Sequence, residues 1–117
     1  MKKVKVAQFG LDFNPKNENS LSVLNLNLPE GTEILSVSTS KQNSSDDYTL
    51  FFTFHAPADA YNDSTYPWRT YHFSIVLCRY TDFEINEHKY VGDIVINNGI
   101  KNTTYSVFYE IGATTKN

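Results

Sequence analysis

Apolar and polar residues alternate one by one along most of this chain. In SVLNLNL, Leu24, Leu26 and Leu28 fall on one side and Asn25 and Asn27 on the other, the separation of core from water that a half-buried strand makes. The same parity sets Leu50, Phe52 and Phe54 against Phe51, Thr53 and His55 in LFFTFH, and it puts Leu35 and Val37 on one face of EILSVST. In TYHFSIVLCRY, Tyr71, Phe73, Ile75 and Leu77 share a face while Val76 and Cys78 lie behind them. That pattern predicts an interior strand covered on both sides.

KYVGDIVINNGI reads as a further strand ending at Asn98-Gly99, a pair suited to a tight hairpin, with TYSVFYEI pairing back across it. Pro29 and Gly31 in LPEGTE, and the polar KQNSSDD, supply turns. Near the start the apolar parity changes, from Val4 and Val6 to Phe9, Leu11 and Phe13. A β-bulge near Ala7 to Gly10 would reconcile the two halves. No window of ten or more residues carries helical spacing, and APADAYND has room for one helical turn. About seven short strands separated by turns predict an all-β antiparallel sandwich or small barrel, because a single sheet would leave its aromatic face wet.

At 117 residues, with 40% apolar and 20% charged side chains, the chain fits a single domain over residues 1–117. A core of this size folds without a disulfide or metal staple, and the lone Cys78 forms no intramolecular bridge. After SIVL, Cys78 reads as a small buried core residue. MKKVKVAQFGLDF lacks the apolar run of a signal peptide, and no segment approaches the roughly 18 unbroken apolar residues of a membrane helix. A cytoplasmic protein without membrane contact is therefore expected, and the glycosylation-type tripeptides at Asn43, Asn62 and Asn102 carry no weight. A net charge of −3, with Lys2, Lys3, Lys5, Arg69 and Arg79 scattered, disfavours nucleic acid as a direct partner.

The densest chemistry lies in HAPADAYNDSTYPWRTYH, which begins at His55 and ends at His72. It reads as a long connection between strands. His55, Asp59 and Asp63 recur every four residues and form an alternative metal set, but Pro57 and the flanking strands deny them a shared helical face. No metal and no cofactor is expected. His72 and Cys78 share strand parity at a separation too large for contact, and Asp46, Asp47, Asp82, Glu84 and Glu87 read as solvated turn charges. Catalytic motifs such as a serine elbow or a phosphate-cradling loop are missing, so enzymatic activity is not the expectation. Tyr61, Tyr66, Trp68 and Tyr71 among small polar residues suit a contact surface. The alternative is that Tyr66 and Trp68 fold inward and plug one end of the domain.

The segments LPEGTEILSVSTSKQ, LFFTFHAP, YHFSIVLCRY, KYVGDI and YSVFYE together resemble a small uncharacterised family found in phages and bacteria. Its pattern has a leucine-proline turn, a strand of the type iLSV, a Tyr-Val/Ile-Gly-Thr segment and a closing His-Val-Phe-Glu. The resemblance spans positions 20 to 111, with Asp93 in place of the usual threonine and Ser106 in place of the usual histidine. It implies an origin in a phage or mobile element and no particular reaction. The expectation is thus a non-enzymatic protein that binds and inhibits a host protein, such as a defence nuclease of the CRISPR type, through Tyr61, Asp63, Tyr66, Trp68 and Arg69. Alternatives are a nucleotide-sequestering protein, a virion accessory subunit or homo-oligomer joined through sheet edges, and a metal-dependent hydrolase using His55, Asp59, Asp63 or His72.

Overall fold

A computed structural model describes residues 2–15, 20–42, 47–97 and 101–115, with the side chains of 113–115 excepted. Among these residues seven strands form two antiparallel sheets packed as a sandwich. One sheet contains β1 (Val4–Phe13), β4 (Tyr48–Pro57) and β3 (Glu33–Lys41), in that spatial order. The other runs β2 (Leu21–Pro29), β5 (Trp68–Leu77), β7 (Asn102–Thr115) and β6 (Lys89–Asn97). The strand that reads as interior, β5, lies between β2 and β7, and its outward Val76 is buried as well as its inward residues.

Alternation fills the space between the sheets. Leu50, Phe52, Phe54 and Ala56 of β4 face Tyr71, Phe73, Ile75 and Leu77 of β5, with Tyr105, Val107 and Tyr109 of β7 and Ile94 and Ile96 of β6 beside them. Phe52 and Phe73 meet at 4.6 Å between ring centroids, and Phe9 stacks on Phe52 at 5.2 Å. These rings bury large apolar areas in tilted and stacked arrangements that suit their quadrupoles.

Two parity expectations fail, each for a reason visible in the pairing. Leu35 does not share a face with Val37: the β3–β4 register slips between Ile34 and Ser36, so Leu35 is the extra residue and is 47% exposed, while Ile34 takes the core position. A one-residue bulge reverses which residues face inward. The bulge expected near Ala7 to Gly10 is not there. β1 pairs with β4 in unbroken register from Val4 to Phe13, so Phe9, Leu11 and Phe13 point inward and Val4 and Val6 stay on the solvent face.

The Pro29 to Thr32 turn carries the chain from one sheet to the other. Gly31 has φ +87°, and the Thr32 N–H donates to Pro29 O at 3.1 Å, the arrangement of a type II turn, whose third residue must tolerate positive φ. The Tyr71 hydroxyl donates to Thr32 O at 2.8 Å and fastens this turn to the core. The β6–β7 pairing closes from Asn97 to Asn102, while Asn98 and Gly99 fall outside the described residues, as do Asn43 to Asp46 of the polar KQNSSDD stretch.

Truncating Phe52 to Ala is expected to cost about 3–5 kcal/mol, whereas Leu35→Ser should stay within about 0.5 kcal/mol; urea unfolding midpoints of the two variants check this. Burial pushes the Tyr71 phenol up to about 12, against an unfolded value of about 10. The folded state therefore favours the protonated phenol, and its contribution is complete below pH of about 10 and lost as pH rises toward 12. Stability measured across that alkaline window should decline more steeply for the wild type than for Tyr71→Phe.

Candidate functional site

The β4–β5 connection is shorter than its sequence suggests, because β4 extends through Pro57 and β5 begins at Trp68. His55 and His72 are strand residues, and Tyr71 belongs to the core. The connection proper, residues 58–67, opens with a single 3-10 turn, Ala58–Tyr61, in the APADAYND stretch where one helical turn is expected. Ala60 is buried beneath it, and the Ala58 N–H donates to Lys3 O at 3.1 Å. Next, Asp63 Oδ1 accepts from the Thr65 N–H at 2.9 Å and from the Thr65 hydroxyl at 2.7 Å. These two hydrogen bonds hold the exposed Asp63 carboxyl below its ordinary pKa; such side-chain closure is why aspartate suits turns.

Glu30, in the turn after β2, organises the rest. Its N–H donates to Pro67 O at 3.0 Å, its carbonyl accepts the Tyr66 hydroxyl at 2.9 Å, and its Oε1 receives Arg69 Nη1 at 3.2 Å. Arg69 Nε also donates to Gly112 O at 3.0 Å. Both ends of the connection are thereby tied to neighbouring chain segments, and the guanidinium fork serves two acceptors at once.

The aromatics differ in exposure. Tyr66 is half-buried, and its hydroxyl lies 3.9 Å from where a Cβ would stand on Gly31. Tyr61 remains exposed, and its ring meets Trp68 edge to face at 6.1 Å. Trp68 is half-buried, opposite the fully buried Pro29 in the β2–β5 register. Tyr61, Trp68, Tyr66 and Arg69 thus share one end of the sandwich, with Asp59 and Asp63 exposed nearby along the connection. Glu30 was not among the candidate residues, although its place in a Pro-Glu-Gly turn marked where two sheets would be joined.

The histidines and acids do not converge. His55 occupies the outward parity of β4 and His72 that of β5, so the sandwich stands between them. His55 Nε2 lies 3.2 Å from Glu33 Oε2, and His72 Nδ1 is 2.6 Å from Asn25 Oδ1. Gly112 makes room for His72, since a Cβ there would fall 2.5 Å from Nε2. Among the described residues no three His, Cys, Asp or Glu side chains are arranged to hold a metal.

Cys78 is exposed, contrary to its expected burial, because β5 ends at Leu77 and the thiol follows in a turn. Its Sγ lies 3.2 Å from Ser106 Oγ, and Ser106 donates in turn to Asp93 Oδ1 at 2.7 Å. With the serine proton committed to Asp93, the thiol is the donor. The Tyr90 hydroxyl reaches the same carboxylate oxygen at 2.8 Å, and this hydrogen bond is the main reason its pKa is raised. Nucleophilic cysteines use an electropositive setting, whereas these partners are hydroxyls and a carboxylate. Asp93 and Ser106 are register partners across β6 and β7.

Residues 78–88 cross the outer face of β7 between β5 and β6. Phe83 packs on Phe108 at 5.1 Å and on His88 at 5.0 Å, and His88 Nε2 lies 3.3 Å from Glu110 Oε2 with its side chain only 8% exposed. A shallow cavity of about 180 Å³ opens between Glu87, Lys89, Tyr109 and Ile111. Small-molecule sites usually measure about 300–1,000 Å³, so this one is undersized for a nucleotide.

No known protein family, curated protein or solved structure matches the chain. Among the described residues no helix is long and apolar enough to cross a membrane. Tyr66→Phe, which removes the hydroxyl donated to Glu30, should lower stability by about 1 kcal/mol and speed protease cleavage within residues 58–67; limited proteolysis timed against the wild type checks it.

Proposed function

We propose that this is a non-enzymatic binding protein that engages another protein through the end of the sandwich bearing Tyr61, Asp63, Tyr66, Trp68 and Arg69. The observation that carries this reading is the exposed Tyr61 ring set edge to face on Trp68, on a connection fastened at Ala58, Asp63, Tyr66 and Arg69. Tyrosine, tryptophan and arginine are the side chains on which protein contacts concentrate their energy. A connection already ordered before binding spares the entropy of ordering it in the complex.

The exposed Asp59 and Asp63 suit a partner with a basic surface. Glu30 contributes less negative field, since it pairs with Arg69. Nucleic-acid-binding grooves are basic surfaces of this kind. In its finer form the proposal makes the partner a host nuclease of the defence type, inhibited by occupation of its surface, and the chain a product of a phage or mobile element acting in the host cytoplasm. That finer form rests on the resemblance over positions 20 to 111.

Tagged protein incubated with host lysate should retain one reproducible partner. Tyr61→Ala and Trp68→Ala should each weaken the purified pair by about 30-fold or more, the loss of about 2 kcal/mol that marks a binding hot spot. Tyr80→Ala, at a fully exposed ring beyond the far end of β5, should bind as wild type. Retention of the same partner at unchanged affinity by both Tyr61→Ala and Trp68→Ala would sink the reading.

A further inference from the structure

The two sheets are unequal, four strands against three, and β2 is the strand at the overhanging edge. The opposite edges, β3 and β6, approach each other closely: a Cβ on Gly92 would lie 3.5 Å from Val37 Cγ1. Phe9 of β1 reaches Phe73 of β5 at 5.8 Å, so the three-stranded sheet covers β5, β7 and β6 before it covers β2. As a result the inward Leu24 and Leu26 are only half-buried, unlike the fully covered inward residues of β5. On the other face, Leu21 and Val23 are exposed.

An open edge invites strand addition unless it is guarded by charge, proline or a bulge. Three of the four edges are guarded. β1 carries Lys5 and Asp12, β3 carries Glu33, Lys41 and the Leu35 bulge, and β6 carries Lys89, Asp93 and a register slip between Tyr90 and Gly92. β2 reads LSVLNLNLP, without a charge or a bulge and with its one proline at the last residue, where the chain leaves the strand, and it pairs with β5 in unbroken register for nine residues. Among the described residues no strand pairs with its other side.

We infer that β2 is a self-association edge, at which two copies of this chain pair their β2 strands antiparallel about a two-fold axis and join their four-stranded sheets into one of eight strands. A second copy is the occupant that this edge fits. Self-pairing sets each strand against its own reversed sequence, and β2 brings no charge of either sign into that contact. A two-fold normal to the sheet keeps inward faces together, and Leu24 and Leu26 of each copy then cover those of the other. Each copy carries a net charge of −3, and contact through the neutral edge places no like charges in opposition. Because the same edge serves both copies, assembly closes at two.

Sedimentation equilibrium over a concentration series tests this. The wild type should shift from 13.4 kDa toward twice that mass as concentration rises. Val23→Lys should raise the dimer dissociation constant at least about tenfold, or about 1.4 kcal/mol. Val95→Lys, the same change at matched exposure on the β6 edge (53% against 52% for Val23), should dimerise as wild type. If circular dichroism shows that Val23→Lys fails to fold, Asn25→Asp replaces it, since Asp retains an acceptor for His72 while adding a charge to the edge. A wild type that stays at 13.4 kDa throughout the micromolar range, a species larger than a dimer, or equal behaviour of the β2 and β6 variants would overturn the inference.

Discussion

The contact between β4 and β5, with Phe52 and Phe73 at its centre, is the constraint from which the remaining elements take their places. These two strands are consecutive in the chain yet lie in different sheets. Their connection must therefore cross from one layer to the other, over a sheet separation of about 10 Å. The crossing lies beside the Pro29 to Thr32 turn, which makes a second crossing at the same end. Glu30 and the Tyr71 to Thr32 hydrogen bond lock the two crossings together, so the aromatic end is positioned by the core itself. A connection held in this way keeps Tyr61 on a fixed platform, with its ring edge to face on Trp68.

Strands were legible in the chain because alternation is a local signal, and the sandwich followed from their number and the width of the apolar faces. Facing was legible only where the ladder is regular. Leu35 turned outward at a bulge that depends on its pairing with β4, which no single strand's residues reveal. At Val4 and Val6 the opposite occurred, since a regular strand tolerated two apolar residues on its wet face. Cys78 illustrates a boundary effect: β5 ends at Leu77, and the thiol in the turn that follows is exposed. The candidate site was legible as a collection of residue types. Its organisation was not, because Glu30 meets Tyr66 and Arg69 across separations of 36 and 39 residues.

The two outer faces differ in character. On the three-stranded sheet, Val4, Val6 and the His55 to Glu33 pair meet solvent directly. The four-stranded sheet is partly roofed by residues 78–88, which explains why Ser74 and Val76 are buried on the face away from the main core. Phe83, His88 and Phe108 make a second, thinner apolar layer there. Beside it the Cys78, Ser106, Asp93 and Tyr90 chain satisfies four polar side chains on an exposed face. Hydrogen-bonded side chains of this kind fix strand facing and register.

The strand pairing also dictates an order of events during synthesis. Phe13 pairs with Tyr48, 35 residues further on, and Leu21 with Val76, 55 further on. A nascent chain thus holds β1 without its partner until residues 48–57 have left the ribosome, and β2 without its partner until residues 68–76 have followed. Closing such distant contacts is entropically costly before any packing rewards it, so maturation should be slow for a domain this small. Throughout that interval the uncharged leucine-rich β2 is open to a chaperone or a neighbouring nascent chain.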